Sequence, residues 1–135
     1  MDRLSAAERS ALMSRVRGHD TNAERIVRRA LTDLGIRYRL NSKDVLGKPD
    51  IVFKGRQRVI FVHGCFWHQH PKCRRAKRPA TRSQFWSQKL DGNVRRDRRI
   101  VRTLRAEGWK VLILWECQLL DPEKLKRKLS AFLAP

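Results

Sequence analysis

Between Thr21 and Gly35 the apolar residues Ala23, Ile26, Val27, Ala30, Leu31 and Leu34 return every three to four positions. That spacing predicts a helix with one buried face, opened by Thr21 and closed by Gly35. The same period links Ala7, Ala11, Leu12 and Val16, with Arg9, Arg15 and Arg17 between them, and predicts a short basic N-terminal helix within residues 1–18 that Gly18-His19-Asp20 interrupts. After Gly35 the period falls to two. Ile36, Tyr38 and Leu40 alternate with Arg37 and Arg39, as in a strand with one wet face. A loop from Asn41 to Lys48 ends at Pro49, whose ring is expected to hold Lys48 extended. The runs Ile51–Phe53 and Val59–Val62, joined through Lys54-Gly55-Arg56-Gln57, predict an antiparallel hairpin. Ser83 to Glu107 is helical in period, with a break expected near Asp91-Gly92. Lys110 to Trp115 is almost continuously aliphatic, as in a strand buried on both faces, and Pro122 to Leu133 predicts an amphipathic helix. Helices before, between and after about four strands give an α/β layered domain with a mixed sheet.

The chain has 135 residues, a length suited to a single domain over 1–135, and neither a repeat nor a linker interrupts it. Hydrophobic residues make up 41%, which fits a packed core. Charge changes the picture more. Lys plus Arg number 32 and Asp plus Glu 13, a net +19, which points to a polyanionic partner. The longest apolar run, Val111–Trp115, is far short of the ~18 residues of a membrane span, so no membrane partner is expected. The opening Met1-Asp2-Arg3-Leu4-Ser5 does not read as a secretory signal, and a cytoplasmic location is expected. In a reducing compartment three cysteines favour metal binding or burial over disulfides.

Gly64 to Ala80 has neither period, and something other than secondary structure must order it. Within it Cys65, His70 and Cys73, joined by the distant Cys117, would supply three sulfurs and one imidazole, a set suited to structural zinc. Three buried thiols and surface histidines are the equal alternative. Asp50 opens the first hairpin strand, and folding the hairpin brings it opposite Val62 and His63; a turn cap is the plainer reading. Asp97 falls in the middle of the stripe Leu90, Val94, Val101, Leu104, so it faces inward and needs either an imidazole N–H or an arginine. Glu24 completes a capping box with Thr21. Phe66, Trp67, Phe85 and Trp86 stand among basic residues, where aromatics can stack on bases or wedge between them. Core packing is the expectation for Phe85 and stays open for Trp86.

Gly47-Lys48-Pro49-Asp50-Ile51-Val52-Phe53, Phe61-Val62-His63-Gly64-Cys65-Phe66-Trp67-His68, Pro79-Ala80-Thr81-Arg82, Asn93-Val94 with Asp97-Arg98-Arg99, Gly108-Trp109 and Trp115-Glu116-Cys117 together resemble the very-short-patch repair (Vsr) endonuclease family. The resemblance runs from about Arg15 to Cys117. It implies a restriction-endonuclease-like three-layer α/β domain with helices flanking a mixed central β-sheet. Asp50 would bind catalytic Mg2+ together with the backbone carbonyl of Val62. His68 would be the base, and Glu24 and a His63–Asp97 pair would complete the site. The structural Zn2+ ligands would be Cys65, His70, Cys73 and Cys117. Phe66, Trp67 and Trp86 would wedge into double-stranded DNA beside a T:G mismatch, with Met13 of the N-terminal helix on the minor-groove side. The implied reaction is a nick 5′ to the mismatched thymine, leaving a 5′-phosphate and a 3′-hydroxyl and initiating very-short-patch mismatch repair. A monomer associated with the nucleoid, working with mismatch-repair proteins, is the matching expectation. This chain departs from the pattern in Val62, where threonine is common, and in the two residues between His70 and Cys73, where the family is associated with one. The alternatives are a sequence-directed nicking or restriction enzyme of the same fold, or a non-catalytic zinc-stabilised DNA-binding module.

Overall fold

The computed structural model describes residues 21–40 and 43–135; Met13 and the basic helix expected within residues 1–18 lie outside them. Helix α1 (Asn22–Asp33) starts where Thr21 Oγ1 accepts the Glu24 N–H at 3.2 Å. Strands β1 (Arg39–Leu40), β2 (Ile51–Phe53) and β3 (Arg58–His63) follow, then helix α2 (Ser83–Ala106), strand β4 (Lys110–Trp115) and helix α3 (Pro122–Leu133). The four strands form one sheet in the order β1-β2-β3-β4. β2 pairs antiparallel with both β1 and β3, while β4 joins β3 in parallel, as a connection through a helix allows.

Alternation along the strands divides the core into two layers. Ile51, Phe53, Ile60 and Leu114 pack with Val27 and Leu31 of α1 and Leu125, Leu129 and Leu133 of α3. Val52, Val59, Phe61 and Val111 pack with Leu104 of α2. The sheet is therefore mixed and covered on both faces, α1 and α3 on one and α2 on the other. Arg56 and Arg58 bind the far end of α3, donating to the carbonyls of Leu133 at 2.9 Å and Ala134 at 3.0 Å.

Four local expectations are corrected. Only Arg39 and Leu40 of the alternating stretch pair as strand, because Ile36 and Tyr38 pack against the core before a ladder begins. Lys48 is left-handed, with φ 48, where Pro49 was expected to hold it extended; its N–H closes a turn onto the Val45 carbonyl at 3.0 Å. α2 runs unbroken through Asp91-Gly92. A helical glycine costs only about 1 kcal/mol, and Leu90 and Leu104 anchor the helix on either side. β4 is buried only at Val111 and Leu114, because it is the outer strand beside β3.

Candidate active site

The site grows from the open end of the β2–β3 hairpin. With Ile51 opposite Ile60, continuing the register sets Asp50 against Phe61 and Pro49 against Val62. Asp50 Oδ2 accepts the Val62 N–H at 2.6 Å, so a side chain takes over where the backbone ladder stops. Proline has no N–H to offer the Val62 carbonyl on that edge. A carboxylate and a backbone carbonyl are thus aligned by the sequence Pro49-Asp50 and by strand register.

Glu24, in the first turn of α1, is buried and hydrogen-bonds the Asp50 carboxyl. It serves as a helix-start residue and also faces the site. Burial first, then the negative charge of Glu24, pushes the Asp50 carboxyl up to about 7, against the opposing effect of the Val62 N–H. Two clustered carboxyls held out of water have the electrostatic character of a divalent-cation seat.

Across the cleft, Asp97 Oδ2 meets His68 Nδ1 at 2.6 Å. The inward-facing carboxylate finds an imidazole, as its helix position required, but the partner is His68 and the implied His63–Asp97 pair is not formed. Asp97 projects from α2 over the turn after β3, and that turn carries His68. His63 ends β3 within a ring cluster, 5.8 Å from Phe61 and 5.1 Å from Trp115 between centroids. It stacks on His68 with centroids 3.8 Å apart and planes 4° from parallel. Burial, then the neighbouring His68, lowers the His63 pKa to about 3, so this ring is neutral. His63, His68 and Asp97 are close enough to share an ion. Stacked rings, however, direct their in-plane lone pairs along parallel lines, which suits a dyad and a platform better than a chelate. Glu24, Asp50, His63, His68 and Asp97 all line one cleft of about 1140 Å³, with Lys48, Arg75, Lys89 and Arg96 also on its wall.

Beside this cleft, Cys65, His70, Cys73 and Cys117 bring their ligand atoms within 4.8 Å of one another. Cys65 Sγ lies 3.7 Å and Cys117 Sγ 3.4 Å from His70 Nδ1, and Cys73 Sγ is 4.0 Å from Cys117 Sγ. The set could hold one metal ion. Burial raises the Cys65 thiol to about 12. The additional residue between His70 and Cys73 is absorbed by a turn with Lys72 left-handed at φ 59, so both ligands still converge. Trp115 stacks on His70 at 4.3 Å, and Glu116 Oε1 accepts the Cys65 N–H at 3.0 Å. Sequence reading overlooked Glu116, although its place beside Cys117 put it at this cluster.

The aromatics form a continuous group. Phe66 lies 5.1 Å from Trp67 and 5.4 Å from Trp86, and Trp67 is 5.9 Å from Trp86. Core packing expected for Phe85 is corrected: Phe85 is 37% exposed and Trp86 only 6%. Trp86 shares the Leu90 stripe of α2, four positions away, whereas Phe85 is turned one step off it. Arg82 covers the exposed Phe85 face at 4.7 Å. Asn93 of α2 donates to the Trp67 carbonyl at 3.0 Å, a contact missed in the sequence because its acceptor is backbone.

The family described as DNA mismatch endonuclease Vsr matches residues 1–75. The type II nicking enzyme V.XorIIP of Xanthomonas oryzae pv. oryzae is 46% identical over 134 residues, 99% of this chain and 98% of that protein. The DNA mismatch endonuclease Vsr of Escherichia coli is 44% identical over 119 residues, 88% of this chain and 76% of that protein. The type II nicking enzyme V.NmeAIP of Neisseria meningitidis is 36% identical over 129 residues, 96% of this chain and 91% of that protein. With the acid, the histidines and the Cys/His cluster assembled as described, and relatives that match nearly end to end, the chain belongs to the Vsr family of DNA endonucleases.

Proposed function

We propose that this endonuclease nicks one strand of double-stranded DNA 5′ to the thymine of a T:G mismatch, on a restriction-endonuclease-like scaffold, and so begins very-short-patch mismatch repair. The supporting observation is the meeting of Asp50, aligned with the Val62 backbone, and the His68–Asp97 dyad in one cleft. Asp50 and the Val62 carbonyl would hold Mg2+, and the raised Asp50 carboxyl beside Glu24 fits such a cation. Bound there, Mg2+ would neutralise charge on the scissile phosphate and acidify water.

The remaining chemistry belongs to side chains. With Nδ1 donating to Asp97, His68 keeps its Nε2 lone pair to take a proton from the attacking water, and Asp97 then stabilises the imidazolium. His63 stays neutral and fixes the plane of the His68 ring. Glu24 orders solvent next to Asp50. Attack of that water on phosphorus would break the P–O3′ bond, leaving a 5′-phosphate and a 3′-oxygen that takes a proton from solvent to become the 3′-hydroxyl. Phe66 and Trp67 would enter the base step, where unstacking costs least at a mismatch, with Trp86 packed behind them and Met13 approaching from the other groove. The Cys65, His70, Cys73, Cys117 cluster would take Zn2+: tetrahedral zinc sets sulfurs about 3.8 Å apart and sulfur from nitrogen about 3.6 Å, close to the spacings seen.

A second reading, sequence-directed nicking without mismatch preference, is favoured by the relatives named type II nicking enzymes. End-labelled duplexes carrying each mismatch, and their matched counterparts, at one salt concentration decide between the two. Cutting confined to T:G supports the proposal, and equal cutting of matched DNA rejects it. Asp50→Ala should bind DNA and fail to nick; if nicking persists, the metal assignment is wrong. Wild type that binds yet never cuts with Mg2+ would establish the non-catalytic module.

A further inference from the structure

The turn bearing Phe66 and Trp67 is fastened to α2 by a relay that the proposed chemistry leaves unused. Gln69 is left-handed, with φ 50, and its Nε2 donates to the Phe66 carbonyl at 2.7 Å and the Ala76 carbonyl at 3.0 Å. Its Oε1 accepts from Arg78 Nε at 2.9 Å, and Arg78 Nη2 reaches Asp91 Oδ1 at 2.6 Å. The amide has one consistent orientation, since its nitrogen meets two carbonyls and its oxygen meets a guanidinium. Arg78 in turn holds the Asp91 carboxyl below the usual carboxylate range. Asp91 and Asn93, which holds the Trp67 carbonyl, stand on the same helix as Asp97.

We propose that Gln69, Arg78 and Asp91 form a positioning clamp that fixes the Phe66–Trp67 turn relative to α2 and thereby sets the preference for mismatched over matched DNA. The clamp rests on reading these rings as the wedge. A wedge discriminates only if it resists rotation: rings free to pivot accommodate an intact stack and forfeit the difference between substrates. Arg78 and Asp91 side chains are 34% and 49% exposed, a setting in which an ion pair adds little to global stability and acts mainly through direction. The fork of arginine serves two acceptors at once, a geometry lysine does not reproduce.

The test compares Arg78→Met, Arg78→Lys, Asp91→Asn and Trp67→Ala for single-turnover nicking of T:G and matched duplexes at fixed salt. Zinc per chain, thermal midpoint and amide exchange are measured alongside in DNA-free protein. Arg78→Met is expected to lower the T:G-to-matched ratio about tenfold, the effect of losing charge-assisted hydrogen bonds. Faster exchange at the His68 and Gln69 amides, which close the turn onto Gly64 and Phe66, should accompany it with zinc retained. Lysine should not restore the ratio, and Trp67→Ala should make Arg78→Met redundant. A ratio unchanged in Arg78→Met while Trp67→Ala lowers it overturns the clamp alone. A ratio unchanged in Trp67→Ala overturns the wedge, and the clamp's effect on selectivity with it. If Arg78→Met does not fold, Asp91→Asn supplies the same comparison from a half-exposed position: a lowered ratio supports the clamp and an unchanged one overturns it.

Discussion

His63 and His68 lie face to face, ring centroids 3.8 Å apart, but only His68 touches a carboxylate. One imidazole is polarised by Asp97, while the other is held neutral by burial. The two histidines of one short segment are therefore not interchangeable.

His68→Ala should slow the nicking step by about 10²–10⁴-fold, the usual worth of a positioned base, and leave DNA binding nearly unchanged. Asp97→Asn should lose a smaller part of the same rate. Single-turnover kinetics at saturating DNA make the measurement, and a full-rate His68→Ala enzyme would remove His68 from the base role.

Asp50 gives a pH dependence of definite sign. Its folded carboxyl titrates near 7 against 3.8 ordinarily, so between those values the folded chain holds the extra proton. Stability without Mg2+ is therefore expected to fall as pH rises from about 4 to about 7. Asp50→Asn removes that loss and should raise the thermal midpoint relative to wild type at pH 8 by a few degrees, but not at pH 4. Mg2+ should stabilise wild type and not the variant, with affinity rising up to pH about 7 and level above it. Thermal melts with and without Mg2+ across this range test both statements.

The path from Pro49 to Asp97 shows which parts of the site can be read from residues alone. Hairpin period and register placed Asp50 beside Val62, and helix period turned Asp97 inward, because both follow from repeats of two and 3.6 residues. The partner of Asp97 was misassigned because the aperiodic turn after His63 decides which ring lies beneath α2. Gln69, Glu116 and Asn93 escaped for a related reason: each binds backbone or a distant side chain through turns that no period encodes. Phe85 was misread as core, and Trp86 left open, because one helical step separates an exposed ring from a buried one.

Removing one sulfur should expose how much the Cys/His cluster holds. Elemental analysis is expected to give about one zinc per chain, and Cys117→Ala should lose it and lower the thermal midpoint, since this closed ligand set orders a segment with little apolar surface. Wild type purified without zinc yet equally stable would reduce the cluster to ordinary burial.

Gly47 offers a purely steric test. Its φ is 80, and an added Cβ would stand 2.5 Å from Ile100 Cγ2. Gly47→Ala should destabilise the chain by about 1–3 kcal/mol through strain and overpacking, measured by denaturant melts. Because the displaced loop leads into Pro49-Asp50, Mg2+ affinity should weaken too.

Cys117 stands 44 positions beyond Cys73, and Asp97 29 beyond His68. Synthesis proceeds from the N-terminus, so a ribosome exposes the aromatic turn and the first three thiol and imidazole donors long before the last one emerges. A nascent chain carries His68 without its Asp97 partner, and Cys65, His70 and Cys73 without Cys117. The contacts that complete the cleft and the Cys/His cluster consequently form late, once translation has delivered most of the polypeptide.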